Sequence, residues 1–482
     1  MIFNSLTYLA LLFVVVTLYW ILPYRARLLL VFSASLMFYG FWRIEFLPVM
    51  LLSVVVDYVV ALRMQISSEA HKKRLLLISL FVNLGLLFYF KYLVFFAENS
   101  IGLANFFGAD IDPLFLKIVL PLGISFYTFQ TISYTVDVYR GLIKPEKDFI
   151  LYACYVTFFP QLVAGPVLRA VEVIHQFAKR PPFLWSDIVI GLRRIIYGLF
   201  LKVVLADNIA PLVDTGFSIP VESMSALDVW TLAFLFGFQI YFDFAAYSHI
   251  ALGSARLMGI CFPENFNFPY LATSAKDFWR RWHISLSSWI RDYLYLPLAG
   301  IKVHDRSVGG LANATLNASK NKALFTTWAI MGLWHGANWT FVLWGIYHAF
   351  VILIYRLLAP LVRNINNKNI KVICGIGFTL PIMMLSWIPF RADSLNATIS
   401  MWGKVLDPFS YNFLGMRENV YLITAIILIG IGVTYFIKNK LVPILNGVGL
   451  SVILIESFFF SGMISLVIIF LRPINQFIYF QF

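Results

Sequence analysis

The chain is short of charge and nearly empty of cysteine. Aspartate, glutamate, lysine and arginine together make up 13% of its 482 residues, about half the share found in soluble globular proteins. A single water-solvated globule is therefore excluded. The three cysteines, Cys154, Cys261 and Cys374, lie far apart with no CxxC pair. They offer neither a disulfide framework nor zinc-ligand spacing, and no metal is expected. The sequence has no HExxH, GxSxG, P-loop or GxGxxG pattern, so the signatures of zinc proteases, α/β-hydrolases and nucleotide-binding folds are missing. It also has no repeat, no low-complexity segment and no polar stretch long enough to form a soluble domain.

Hydrocarbon takes the place of these features, with 60% of residues hydrophobic and 17% aromatic. Runs at residues 6–22, 75–96, 229–250, 372–390, 420–436 and 450–471 approach the ~20 apolar residues that cross a bilayer. They are continuous rather than alternating, which selects helices over a barrel. The expected fold is an all-α polytopic membrane protein forming a single integral membrane domain over residues 1–482. The first run lacks a small-residue cleavage site and reads as a retained span.

The net charge is +13. Nucleic acid is one partner for a basic chain, but here the basic residues cluster in short loops between spans. That is the pattern of cytoplasmic loops, so the partner is membrane lipid and not nucleic acid. Arg25 and Arg27, then Arg63 and Lys72 to Arg74, fall on alternate loops of one face, whereas Asp110 and Asp112 fall on the other. This parity puts both termini outside the cytoplasm. Residues 149–167 hold Pro160, Gly165 and Pro166 and are flanked at both ends by basic loops, as a re-entrant segment would be. Such irregular backbone at membrane depth must be buried in protein or line a cavity.

"MGLWHGANWTFVLWGIYHAF", residues 331–350, follows the same logic. Lys320 and Lys322 precede it, and Arg356, Arg363 and Lys368 follow. The interval fits two short passes bent near Gly336 and Asn338. His335 is 13 residues beyond Lys322, about 20 Å deep if helical. An ionisable residue at that depth marks the inner end of a polar pocket or tunnel. The plainer alternative is a neutral imidazole bonded to a helix carbonyl. No serine–histidine–acid trio lies near it in sequence, so general base suits it better than covalent nucleophile.

In "KDFWRRWHISLSSWIRDYLYLPL", residues 276–298, Phe278, Trp282, Leu286, Trp289, Ile290 and Tyr293 form one helical stripe. Lys276, Arg280, His283, Ser287 and Arg291 form another. A basic, tryptophan-rich amphipathic helix belongs at the membrane interface. It is either an anchor or the cytoplasmic mouth where His283 and the arginines meet an anionic ligand. Asp57, Lys91, Asp137, Asp243 and Glu456 lie in apolar runs and are expected to pair within the bundle. His348 is expected to be core packing.

These motifs resemble the membrane-bound O-acyltransferase family, in particular its bacterial branch of alginate and peptidoglycan O-acetyltransferases and, more distantly, teichoic acid D-alanine transfer proteins. The resemblance rests on "PLGISFYTFQTISYTVDVYRG", "FFPQLVAGPVLRA", "QIYFDFAAYSHIALGSARLMGI", "DFWRRWHISLSSWIRDYLYLPL", "LWHGANWTFVLWG", "FRADS" and the terminal "FIYFQF". It covers nearly the whole chain in the family's order, and "WHGANW" and "DFWRRWH" are its specific signatures. It implies a ring of about 11–13 transmembrane and re-entrant helices around a central tunnel. The invariant histidine of the family falls on His335 and the second on His283, with Arg280, Arg281, Ser287 and Arg291 at the donor side. The implied donor is acetyl-CoA or a similar cytoplasmic thioester. Asn338 is an oxyanion candidate. Tyr479 in the tail is a candidate acyl relay, the alternative being an aromatic belt. The implied acceptor system is an extracytoplasmic SGNH-hydrolase-like acetyltransferase acting on an exported or cell-wall polysaccharide at the bacterial inner membrane. One departure stands out: the branch carries Gly-Tyr-Ser-Asp after "FDF", and this chain has Ala246, Tyr247, Ser248 and His249. Two other classes compete: a flippase for a lipid-linked sugar, with broken helices and midplane polar residues, and a membrane subunit that only docks an extracellular enzyme.

Overall fold

The computed structural model describes residues 3–114, 116–163, 165–179, 181–301, 318–363, 367–437, 449–472 and 477. Among them no strand occurs, and six helices are long and apolar enough to cross a membrane. The all-α, multi-pass reading of the apolar runs holds. The helices gather into two compact units, Met1–Gly198 with Tyr247–Pro263, and Leu199–Ala246 with Glu264–Phe482.

The first unit contains α1 (Leu6–Ile21), α2 (Tyr24–Gly40), α3 (Leu47–Gln65), α4 (Glu69–Leu87), α5 (Leu93–Phe106), α6 (Ile124–Tyr139), α7 (Phe149–Thr157), α8 (Ala170–Ala178) and α9 (Trp185–Leu199). Ser5 starts α1 by accepting the Tyr8 N–H at 3.1 Å. Asp148 starts α7 through Ile150 N–H at 3.1 Å and Leu151 N–H at 3.4 Å. These are side-chain caps on donors that have no partner within the helix. The nine residues of α7 span only about 14 Å, too little to cross ~30 Å of hydrocarbon. The chain then turns at 158–163, fully buried, the form expected of a re-entrant segment. It lies so close to the start of α6 that a Cβ on Gly123, itself at φ +72°, would strike the Leu162 carbonyl.

A polar knot holds α3, α4 and α6. The buried Asp57 carboxylate accepts from Ser79 Oγ, from Thr135 Oγ1 at 2.9 Å and from Asn83 Nδ2 at 2.6 Å. Asn83 Oδ1 in turn accepts from Ser53 at 2.5 Å and Thr131 at 3.2 Å. A polar group buried in the bundle is tolerated when hydrogen bonds satisfy it, and three helices meet at this arrangement.

The second unit contains α10 (Asp207–Phe217), most of α11 (Ala226–Leu257), α12 (Ala275–Trp279), α13 (Ile284–Ile290), α14 (Leu296–Leu298), α15 (Ala318–His335), α16 (Trp339–Arg363), α17 (Lys368–Leu385), α18 (Ile388–Arg391), α19 (Leu395–Leu406), α20 (Glu418–Phe436) and α21 (Gly449–Ile469). Asp243 pairs within the bundle as expected. Lys202, on a widened turn at Phe200–Ala206, reaches Asp243 at 2.9 Å and Asp207 at 2.8 Å.

Candidate functional site

α15 and α16 form the expected hairpin. α15 runs without interruption from the level of Lys320 and Lys322 to His335, its last residue. The helix breaks at Gly336 to Asn338, and α16 returns toward Arg356. Glycine lets the two backbones touch: a Cβ on Gly345 would strike the Trp328 carbonyl, and one on Gly332 the Phe341 carbonyl. Leucine at either site would force the hairpin apart, so the sequence fixes where His335 ends up.

The His335 ring sits in an aromatic box, with centroids 4.8 Å from Trp334, 4.9 Å from Trp344 and 5.2 Å from Phe390. It keeps 5% of its surface accessible, whereas His283 and His348 keep none. Asn338 is exposed at the bend, and its Oδ1 accepts the Thr340 N–H at 3.0 Å, helping to start α16. His348 also packs on Trp344, 4.7 Å from that ring, and lies 4.9 Å from Trp279.

The 276–298 segment departs from the single amphipathic helix expected of it. α12 ends at Trp279, and His283 takes up a left-handed conformation at φ +42° before α13 begins. This kink removes His283 from the stripe of Arg280 and Arg291 and turns it inward. The cause is remote in sequence. Asn265 Oδ1 accepts from the Ser285 backbone N–H at 3.3 Å and Ser285 Oγ at 2.9 Å. A backbone N–H can only donate, so this atom is an acceptor, and His283 Nδ1, 3.1 Å away, must carry the proton. The Nε2 lone pair has no hydrogen-bond partner among the described residues. The Phe244 ring packs edge-on at 4.6 Å. Burial pulls the His283 pKa down to about 3, so the ring is neutral at physiological pH.

The kink also sorts the arginines. Arg281 is tied to Asp277 at 3.0 Å and Arg291 to Asp292 at 2.6 Å, and Ser287 Oγ donates to the Trp282 carbonyl at 3.1 Å. Arg280 is exposed and gathers with exposed Lys276 and Arg356. The Lys276 pKa is lowered by partial burial and then by the charges of Arg280 and Arg356. Arg356, from α16, is the member of this cluster that the stripe could not reveal, because it arrives through the hairpin. Tyr479 lies outside the described residues. Phe477, two residues before it, is buried 5.7 Å from Phe244, the ring that also covers His283.

The site thus consists of a box-bound histidine at the end of a glycine-packed hairpin, the buried neutral His283, whose Nε2 has no hydrogen-bond partner among the described residues, and a cationic rim. Residues 146–390 match the membrane-bound O-acyltransferase family. The chain is 37% identical to a probable alginate O-acetylase of Azotobacter vinelandii over 81% of its own length and 74% of the relative's. It is 35% identical to a peptidoglycan O-acetyltransferase of Helicobacter pylori over 76% of its length and 71% of that protein's. A teichoic acid D-alanyltransferase of Bacillus subtilis is more distant, at 28% over 52% of this chain and 66% of its own. By family match, by relatives and by its apolar helices, this multi-pass membrane chain belongs to the membrane-bound O-acyltransferase family.

Proposed function

We propose that this O-acyltransferase takes an acyl group, acetyl in the simplest case, from a cytoplasmic thioester such as acetyl-CoA. It delivers that group to an extracytoplasmic acceptor for O-acetylation of an exported or cell-wall polysaccharide. The observation that carries this reading is the placement of His335, held in its aromatic box at the end of α15, where the hairpin bends. His335 removes the proton from an acceptor hydroxyl as its oxygen attacks the thioester carbonyl. The C–S bond then breaks, and the thiolate leaves with that proton. The Asn338 amide is the proposed donor to the oxyanion. The His283 Nε2 lone pair accepts a hydrogen bond from the donor's amide-bearing arm.

Lys276, Arg280 and Arg356 receive the donor's phosphates, with Arg281, Ser287 and Arg291 forming the rest of the donor-side segment. Support for a tail relay through Tyr479 comes from Phe477, which reaches the same Phe244 ring as His283. The acceptor protein is a secreted SGNH-hydrolase-like acetyltransferase. The enzyme sits in the bacterial inner membrane with both termini outside.

Thiol release from acetyl-CoA by the purified protein in detergent tests the assignment. His335→Ala is expected to lower turnover by roughly 10²–10⁴-fold while leaving the melting temperature nearly unchanged. Wild-type turnover in that variant would remove His335 from the chemistry.

A further inference from the structure

Phe390 and Arg391 are neighbours in the chain and serve different partners. They open the "FRADS" stretch, residues 390–394, and close α18, a helix of only four residues. Phe390 faces the His335 box. Its ring lies 5.2 Å from His335, 4.8 Å from Phe341 and 5.5 Å from Trp344. Arg391 reaches α10 instead. Its Nη2 donates to Asp214 Oδ1 at 2.9 Å, and its guanidinium lies 5.5 Å from the centre of the Phe217 ring. All of these residues belong to the second unit.

The anchor on α10 is itself firmly seated. Phe217 meets the buried Phe236 of α11 edge-on at 6.1 Å. A Cβ on Gly216 would strike the buried Leu232 side chain, so α10 and α11 pack at contact distance there. An ion pair with an exposed carboxylate such as Asp214 contributes little by itself. The Phe217 ring adds a cation–π attraction from the same helix. Asp214 and Phe217 are three residues apart, neighbours on one face of α10, so the two contacts fix the direction of the arginine as well as its distance.

α18 needs such an anchor. A single turn has too few internal hydrogen bonds to hold its own orientation; here the Ala392 N–H donates to the Ile388 carbonyl at 2.9 Å. The turn stands between α17, which ends at Leu385, and α19, where Ser394 Oγ accepts the Ala397 N–H at 3.1 Å. Its rotation decides where the Phe390 ring meets His335. Arg391 is the side chain through which α10 sets that rotation.

We propose that Arg391 is a positioning residue for the transfer reaction: clamped by Asp214 and Phe217, it holds α18 so that Phe390 forms a wall of the His335 box. The inference rests on the reading of His335 as the base.

Kinetics of the purified full chain test this, with thiol release from acetyl-CoA as the measure. Arg391→Gln is expected to lower kcat about tenfold, part of the ~10²-fold that a misplacement of about 1 Å costs. KM for acetyl-CoA should stay within about twofold. Arg391→Lys keeps the charge and the single contact to Asp214, and is expected to recover most of the loss. Asp214→Asn is expected to cost about threefold, because Phe217 still attracts the guanidinium. Phe390→Leu supplies a readout that a general structural role would not move. It should lower kcat at least as far as Arg391→Gln, and adding Arg391→Gln to it should lower kcat by less than about twofold further. Effects that multiply in the double variant overturn the proposal, as does wild-type kcat in Arg391→Gln. Should Arg391→Gln fail to fold, Asp214→Asn is read through the same cycle with Phe390→Leu. Wild-type turnover in His335→Ala removes the base and this inference together. An inactive His335→Ala beside a wild-type Arg391→Gln removes this inference alone.

Discussion

His335 and His283 are both buried imidazoles in aromatic surroundings, and the backbone delivers them in opposite ways. His335 rides at the end of a regular helix, and its depth follows from a count of residues along α15. His283 sits in a left-handed kink between two short helices, and its placement follows from Asn265, 18 residues away. One histidine is aimed by helix length and glycine packing, the other by a side-chain acceptor that gathers three donors. A site built this way has one part that fails when helices separate and another that fails when a single amide is lost.

The largest expected effect comes from breaking the hairpin. Gly345→Ala would drive a methyl group into the Trp328 carbonyl, and no rotamer change relieves a clash with backbone. Overpacking of this kind costs about 1–3 kcal/mol. A shift of about 1 Å at the reacting group costs about 10²-fold in rate. Thiol release should therefore fall by about that factor, with a lower melting temperature. An equally active Gly345→Ala would mean that the spacing of α15 and α16 does not position His335.

The same contrast explains what could be read in advance. The apolar runs announce the helices because lipid leaves the backbone no other partner. The bend at Gly336 to Asn338 shows because breakers interrupt an otherwise continuous run. The kink at His283 does not show: "RRWHISLSS" has good helical periodicity, and a non-glycine residue at positive φ is paid for by tertiary contacts with Asn265 that no local window contains. The partners of Asp243 were hidden likewise, since Lys202 lies 41 positions back and reaches it only after α11 has packed. The separation of Arg280 from Arg281 and Arg291 depends on that same kink and was equally out of reach.

The rim offers a smaller perturbation. Neutralising Arg280 and Arg356 together, as Arg280→Gln with Arg356→Gln, should raise KM for acetyl-CoA by roughly tenfold, with kcat within about twofold. The deficit should shrink at high salt because exposed charges are screened. An unchanged KM would move donor binding away from the α12–α16 rim and weaken the link between the kink and the hairpin.

The kink has its own signature in pH. His283 has a folded pKa of about 3 against about 6.5 in an unfolded chain. Between those values the unfolded state binds the proton and the folded state does not, so stability rises with pH up to about 6.5 and is flat above it. Acidifying from pH 7 to 5 should cost up to about 2 kcal/mol through this residue. His283→Asn, unable to titrate, should show a shallower loss of melting temperature over that range. Parallel curves for the two proteins would mean that His283 is already protonated, or solvated, in the folded state.

The smallest expected effect belongs to the third histidine, and it separates burial from function. His348 shares Trp344 with His335, lies on the returning helix and is completely buried. Neither of its nitrogens has a hydrogen-bond partner among the described residues. Leaving such groups dry costs about 1–3 kcal/mol. Against this stand its ring contacts with Trp279, Trp328 and Trp344, and aromatic pairs contribute about 0.5–1.5 kcal/mol beyond the area they bury. The two sides nearly cancel, so His348→Leu should leave melting temperature and thiol release close to wild type. Should His348→Leu instead fold normally and lose turnover as His335→Ala does, proximity to Trp344 would be the functional criterion. The place of His335 at the bend of the hairpin would then no longer distinguish the base from its neighbour.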